Sequence, residues 1–442
     1  MAVESTPEQA QEKIEQVDSA DLVVGVIAEF DDAGLAAVCA ALGTLPGSPR
    51  VVVLRDERSA SPGQSNSEPA AASGSACHLI RWPLSGSGAP DTPVVGVAAA
   101  YQAVFAASEK FGARACCVIV SKLEAATPEW VRELAQPLVE RDLDLVVPYY
   151  ARRKFEGLLN SSIIAPLLRC LYGKRIHNPM GPDLGISRRL FQKMLATERG
   201  GGAGGNRALS LASVAPAALC ENLQVCEVHL AARVYPPTDW TNISSLLAQI
   251  LSPIFSDMER NAACWQRMRP SVHVPTIGEP VSVSQDTGTV DISRMMESFQ
   301  LAVRDLQEIW GLVLPPSTLF ELRKLARLPS EQFRMPDDLW VRIVYDFALA
   351  HRLRTINRDH LLKSMTPLYL AWVSSYAHDL ETAGSTAWEE RLERLSVAYE
   401  SGKTIRQVAL ETSGLDKAKL DQLLDARSQT EPGTGAGGSA GG

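Results

Sequence analysis

The chain has 442 residues, 45% hydrophobic and 21% charged, with a formal net charge of −8. That balance fits a soluble globular protein with one large core or two moderate ones and argues against a nucleic-acid partner, although local basic runs can still hold phosphate. There is no apolar run of about eighteen residues and the start, MAVESTPEQAQEKIEQ, is acidic and polar, so neither a membrane span nor a secretory signal is expected and the cytoplasm is the expected location.

Residues 1–20 read as a polar lead-in. DLVVGVIAEF is a continuous apolar strand, AGLAAVCAALGTL has helical apolar spacing, and PRVVVLRDE is a second strand. The stretch 59–76, SASPGQSNSEPAAASGSA, has the composition of a flexible insertion. Beyond it, VVGVAAAYQAVFAASEKFG reads as helix, RACCVIV as strand, TPEWVRELAQPLVER as helix and LDLVVPYY as strand. Such alternation predicts an α/β domain over 21–239 with a mostly parallel sheet, ligands gathering at the carboxyl ends of its strands. A Gly-rich loop at 199–206 interrupts the pattern, and CENLQVCEVHLAARVYPP supplies one further strand or two.

From Trp240 onward the pattern is helical: a domain over 240–380, a helical appendage over 381–427 and a disordered tail over 428–442. Tryptophans 240, 265, 310, 340 and 372 fall among apolar residues and are expected to anchor a core. The eight cysteines form no CxxC pair; adjacent Cys116 and Cys117, inside an apolar strand, read as small buried fillers, and no zinc site is expected.

Three loops concentrate polar chemistry. After the strand RACCVIV stand Val120, Ser121 and Lys122; Lys122 reads either as a solvated lysine or as a point charge facing a phosphate. The nearby Thr127, Pro128 and Glu129 are explained as a helix start alone, Thr as N-cap, Pro at the first position and Glu in the first turn. In YYARRKFEGLLNSS, Tyr149, Tyr150, Arg152, Arg153 and Lys154 put two rings and three cations beside a strand end, which suits a sugar face or an anionic small molecule, or is simply a basic loop. In YGKRIHNPMGPDLGIS, Gly181, Pro182 and Gly185 force an irregular backbone around Asp183, which reads as a turn carboxylate or a ligand-binding one; His177 reads as a hydrogen-bonded loop histidine or a substrate contact.

Together, the strand VVGVIAEF, the turn TPEWV, the run VVPYYARRKFEGLLNSSIIAPLLRCLYGKRIHNPMGPDLGIS and the helical MPDDLWVRIVYDFALAHRLRTINRDHLLKSMTPLYL resemble family-2-like glycosyltransferases related to glucosyl-3-phosphoglycerate and mannosylglycerate synthases, over about residues 20–380. The resemblance implies a GT-A fold, a Rossmann-like nucleotide-sugar domain with a helical C-terminal extension. It also implies transfer of a sugar from a nucleotide diphosphate to a hydroxyl of a small polar, glycerate-like acceptor. The family neutralises the leaving diphosphate with a divalent cation held by Asp-x-Asp and a later His.

This sequence departs from that pattern on the donor side. Val120-Ser121-Lys122-Leu123 stands at the Asp-x-Asp-Leu position, Tyr235 at the late histidine, and Ile27-Ala28-Glu29-Phe30-Asp31 at the nucleotide-base stretch, leaving Glu29 and Asp31 as the candidate nucleotide contacts. A family Gly-Lys-Gly has become Val94-Val95-Gly96. No cofactor or metal ligand is therefore expected, and two main readings stay open beside a weaker one, a purely structural partner built around the helical domain. In one, Lys122, Arg152, Arg153 and Lys154 neutralise the diphosphate, with Tyr149, His177 and Gly181 lining the substrate and Asp183 binding a hydroxyl or acting as base. In the other, the chain is an inactive binding or regulatory subunit, as a homo-oligomer or with an active paralogue. Ser401–Ala426 also resembles the small C-terminal segment of class II fumarases and aspartases, but the lyase loop is absent, so a helical contact element is expected there.

Overall fold

The computed structural model describes residues 19–27, 31–56, 77–84, 93–120, 127–199, 210–234, 238, 240, 242–266, 271–281, 283, 290–381 and 387–411. Nearly all of the expected lead-in and of the Gly-rich loop, and the whole of the insertion 59–76 and of the tail, lie outside them, as do Glu29, Lys122 and Tyr235.

The first part is α/β. Strands β1 (Leu22–Val26), β2 (Val51–Asp56), β3 (Cys77–Trp82), β4 (Ala115–Ile119), β5 (Leu145–Ala151), β7 (Leu184–Ser187), β8 (Val225–Val234) and β10 (Thr276–Ile277) form one sheet in the order β10-β8-β5-β7-β4-β1-β2-β3. Every pairing is parallel except those of β7, which runs antiparallel to both β4 and β5. The short strands β6 (Lys174–Arg175) and β9 (Val272–His273) pair separately. Parallel strands covered on both faces should read as unbroken apolar runs, and all five residues of β1 (LVVGV) and of β4 (ACCVI) are buried. Cys116 and Cys117 are completely covered, as expected of fillers.

Helices α1 (Asp32–Leu42), α2 (Pro93–Lys110) and α3 (Pro128–Glu140) cover the sheet. Thr127 caps α3 with its hydroxyl accepting from Trp130 N–H, ahead of Pro128 and Glu129. Helix α2 presses on β1 so closely that a Cβ on Gly25 would lie 2.1 Å from Val104 Cγ2, so only glycine fits there. Because β1 has β2 on one side and β4 on the other, the order reverses between them, and the crevice beyond their carboxyl ends is the switch point where open α/β sheets take ligands.

After β5, a π-helical turn (Asn160–Ile164) runs into α4 (Ala165–Tyr172); α5 (Arg188–Arg199) follows β7, and α6 (Val214–Cys220) precedes β8. The region from residue 240 on is mainly helical: α7 (Ile243–Arg260), α8 (Ala262–Trp265), α9 (Ile292–Asp305), α10 (Gln307–Gly311), α11 (Pro316–Leu325), α12 (Asp337–Leu353), α13 (Arg358–Ser364), α14 (Thr366–Glu381) and α15 (Ala387–Glu411). One difference from the sequence reading is that β10, beyond α8, returns to the sheet edge beside β8. Two residues are too short a run to show strand periodicity.

The helical region shares its core with the sheet. Trp265, Trp310, Trp340 and Trp372 are fully buried and Trp240 partly so, in one cluster with Leu158, Ile163 and Leu167. A π-turn shifts carbonyls off the helical ladder, and that of Ser162 is taken from the other side, by Trp340 Nε1 at 3.3 Å and Tyr399 OH at 2.9 Å. Arg169 of α4 forks onto Glu393 at 2.6 and 2.9 Å and reaches Glu400 at 3.1 Å, fixing α15. Cys220 and Cys264 are joined as a disulfide between α6 and α8, a link that a sequence separation of 44 does not reveal. Among the described residues no helix is long and apolar enough to cross a membrane.

Candidate functional site

The adjacent carboxyl ends of β5 and β8 build the most organised polar cluster. Their parallel register sets Val147 against Glu227, Pro148 against Val228, Tyr149 against His229 and Tyr150 against Leu230. Strand alternation sends Tyr149 to one face of the sheet and Tyr150 to the other, and puts Glu227 and His229, two residues apart, on a common face. Among the described residues β7 pairs only with Leu145 and Val146 of β5, which leaves room for Pro148 in the strand, and the Pro148 carbonyl accepts from Asn178 Nδ2 at 3.2 Å.

The Tyr149 ring stacks on His177, with centroids 3.9 Å apart and planes 12° off parallel, and on His229 at 4.4 Å and 23°. Two rings that close cannot share one face, so Tyr149 lies between the two imidazoles. Burial raises the Tyr149 phenol above its usual range, opposed by the nearby Arg152 guanidinium. His229 is lowered, chiefly by burial, against the opposing pull of Glu227.

Glu227 is 1% exposed and holds His177 twice, accepting its backbone N–H at 2.6 Å on Oε1 and meeting Nδ1 at 2.8 Å with Oε2. Asn160 Nδ2 donates to the His177 carbonyl at 2.6 Å and to Asn178 Oδ1 at 3.2 Å, so the loop before Gly181 is bonded along its length. Gly181 is required by close approach: a Cβ there would lie 2.7 Å from Pro148 Cγ and 2.9 Å from Cδ.

Asp183 lies beneath this cluster, on the far side of β5. It is fully buried; Oδ1 accepts from Val120 N–H at 2.7 Å and Oδ2 from the Tyr150 hydroxyl at 2.6 Å, while Tyr101 donates to the neighbouring Pro182 carbonyl at 2.6 Å. This carboxylate therefore ties the end of β4 to β5. Asp31 accepts from Gly34 N–H at 2.7 Å as the N-cap of α1.

Of the three cations after β5, Arg153 is turned inward: Nη1 meets Glu156 Oε1 at 2.9 Å and its N–H donates to Oε2 at 3.1 Å. Lys154 Nζ stands 5.2 Å over the Phe155 ring, and its carbonyl accepts from Tyr376 OH of α14 at 2.8 Å. Arg152, half-buried, acts electrostatically on both Tyr149 and Tyr376. The structure thus brings Tyr149, His177, Arg152 and Gly181 to one place and puts Asp183 behind them, while Asp31 stands apart beyond β1. Sequence reasoning missed His229 and Glu227, although the alternation in CEVHL was the signal for both. Among the described residues no group of three or more His, Cys, Asp or Glu side chains could hold a metal ion.

No family model and no curated protein matches the chain. Solved structures do. Glucosyl-3-phosphoglycerate synthase from Mycobacterium tuberculosis, in complex with Mn²⁺, UDP and glucosyl-3-phosphoglycerate, aligns at 16% identity over 58% of this chain and 86% of that one, with a TM-score of 0.33. The same enzyme with Mn²⁺, UDP-glucose and phosphoglyceric acid aligns at 15% identity over 58% and 85%, with a TM-score of 0.31. Scores and identities this low leave any functional reading to rest on this chain's own residues.

Proposed function

We propose that the α/β part is a GT-A transferase scaffold that binds a nucleotide sugar at the carboxyl ends of its strands and transfers the sugar to a hydroxyl of a small polar, glycerate-like acceptor, without an Asp-x-Asp metal site. The observation that supports this most is the Tyr149–His177–His229 stack held by buried Glu227 at the β5–β8 strand ends. It lies in the same sheet, and at the same edge of it, as the β1–β4 switch point that suits a nucleotide.

In this reading the outer imidazole faces of the stack, His177 with 36% of its side chain open, offer a flat surface to the apolar face of a sugar ring. Lys122, three residues beyond β4 in the sequence, and Arg152 supply positive charge toward the diphosphate. A metal with two aspartates sums to about zero charge and a lone lysine to about plus one, so the balance for a departing anion of roughly two to three charges is no worse; what is lost is bridging geometry. Asp183 acts by fixing Val120 and Tyr150, and so the floor under the site.

The test is thermal stabilisation of the full chain by a panel of UDP- and GDP-sugars, with Mg²⁺, Mn²⁺ or a chelator, followed by mass spectrometry of glycerate-type acceptors. Stabilisation and transfer that survive chelation are expected. Stabilisation without transfer turns the reading to a binding or regulatory subunit, and no response to any nucleotide sugar overturns it.

A further inference from the structure

Six of the eight cysteines are free, and Cys39 alone among them is not fully buried. It lies on α1, where its sulfur accepts a hydrogen bond from Cys77, the first residue of β3, which is 6% exposed. Both side chains belong to the apolar cluster that α1 shares with the sheet, so the two sulfurs meet across one helix–strand contact. The bond makes them unequal. Donation from Cys77 holds the Cys39 thiol below its usual range, against the opposing effect of burial, while Cys77 is pushed up by the same bond and by burial. The other free thiols are placed differently: Cys116, Cys117 and Cys226 are buried in strands and raised by that burial, and Cys170 Sγ meets Tyr345 OH at 2.8 Å. Cys220 and Cys264 are already joined, whereas Cys39 and Cys77 are in contact and reduced. Partial exposure, thiolate character and a second thiol alongside are what a peroxide-sensitive cysteine requires.

We propose that Cys39 and Cys77 form a redox-active dithiol, in which half-buried Cys39 is oxidised by a hydroperoxide and buried Cys77 resolves it to a disulfide. In the first step the Cys39 thiolate attacks an oxygen of the hydroperoxide and the O–O bond breaks. The sulfur becomes a sulfenic acid, and the departing alkoxide or hydroxide takes up a proton from solvent. In the second, the Cys77 sulfur bonds to that of Cys39, the S–O bond breaks, and the hydroxyl leaves with the Cys77 proton as water. The two thiols lose two electrons and the peroxide takes them up; an external dithiol reverses the change by exchange. Strand β3 ends the sheet and, among the described residues, pairs only with β2. The disulfide fastens this edge strand to α1, the helix whose start Asp31 caps beside the switch point. Cys77 opens its strand, so the pair stands at the amino ends of the parallel strands, away from the ligand side, and the oxidation does not depend on sugar transfer.

The test treats the native full chain with hydrogen peroxide near neutral pH, blocks the remaining thiols with N-ethylmaleimide, and maps unreduced peptides by mass spectrometry. A Cys39–Cys77 cross-link is expected before any other free cysteine changes, and dithiothreitol should remove it. In Cys77→Ala a sulfenic acid on Cys39 should persist and be trapped by dimedone; in Cys39→Ser, Cys77 should stay reduced. Under brief iodoacetamide treatment, wild-type Cys39 is expected to react about 10-fold or more faster than any other free cysteine. The proposal is overturned if the wild-type chain keeps both thiols through peroxide treatment, if Cys39 is carried to sulfinic acid with Cys77 still free, or if a fully buried cysteine oxidises first. These decisive readings come from the unaltered chain, so a variant that fails to fold does not blunt them.

Discussion

The β1–β4 and β5–β8 ends of the sheet point the same way but use their polar groups differently. At the β1–β4 end the described carboxylates serve the fold: Asp31 caps its own helix, Asp32 pairs with Arg55 at 2.6 Å, and Asp183 closes a buried bridge between Val120 and Tyr150. At the β5–β8 end, buried Glu227, Asn160 and Asn178 hold a histidine that stays partly open. The contrast separates groups used to build a strand end from groups built to meet a ligand; being fixed from beneath while open above marks the second kind.

The largest expected effect comes from the Cys220–Cys264 link, which ties the helix before β8 to the helix before β10. For a closed loop of 44 residues, chain entropy puts its contribution at about 4 kcal/mol. Reduction, or Cys220→Ser with Cys264→Ser, should lower the denaturation midpoint and speed amide exchange in β8 before β1 and β4; equal loosening of both ends would erase the distinction between them. Next, Asp183→Ala strands the buried Tyr150 hydroxyl and the partly buried Val120 N–H and should cost about 3 kcal/mol in denaturant titrations. A loss under about 1 kcal/mol would contradict its bracing role.

Gly181→Ala drives a methyl into Pro148 and should cost about 2 kcal/mol while weakening nucleotide-sugar binding, since the loop moved is the one that bears His177. Smallest is Asp31→Ala, about 1 kcal/mol from loss of a helix cap, with binding unchanged if Asp31 is structural. A large loss of affinity there would return Asp31 to the nucleotide contacts that the sequence suggested.

Long elements were legible because their physics is local. The unbroken apolar runs of β1, β4 and β5 and the Thr127-Pro128-Glu129 start of α3 can be read directly, and so can the burial of Trp310, Trp340 and Trp372. What escaped depends on distant partners. Strand β7 is four residues inside a Gly-rich stretch and becomes a strand only by inserting between β4 and β5. The site was half legible: Tyr149, Arg152 and His177 stand out as ring and charge types beside a strand end. Glu227 and His229 look like ordinary strand residues until β8 is set against β5, and Asp183 looks exposed in sequence because the burial comes from Tyr101 and Tyr150.

The proposed strand-end site takes a nucleotide sugar with no help from a divalent ion. Isothermal titration of the wild-type chain with UDP- and GDP-sugars, once in chelator and once with Mn²⁺, tests it most directly. One of these donors is expected to bind with the same affinity in both; binding that appears only with Mn²⁺, or with none of the donors, would rule out the metal-independent site.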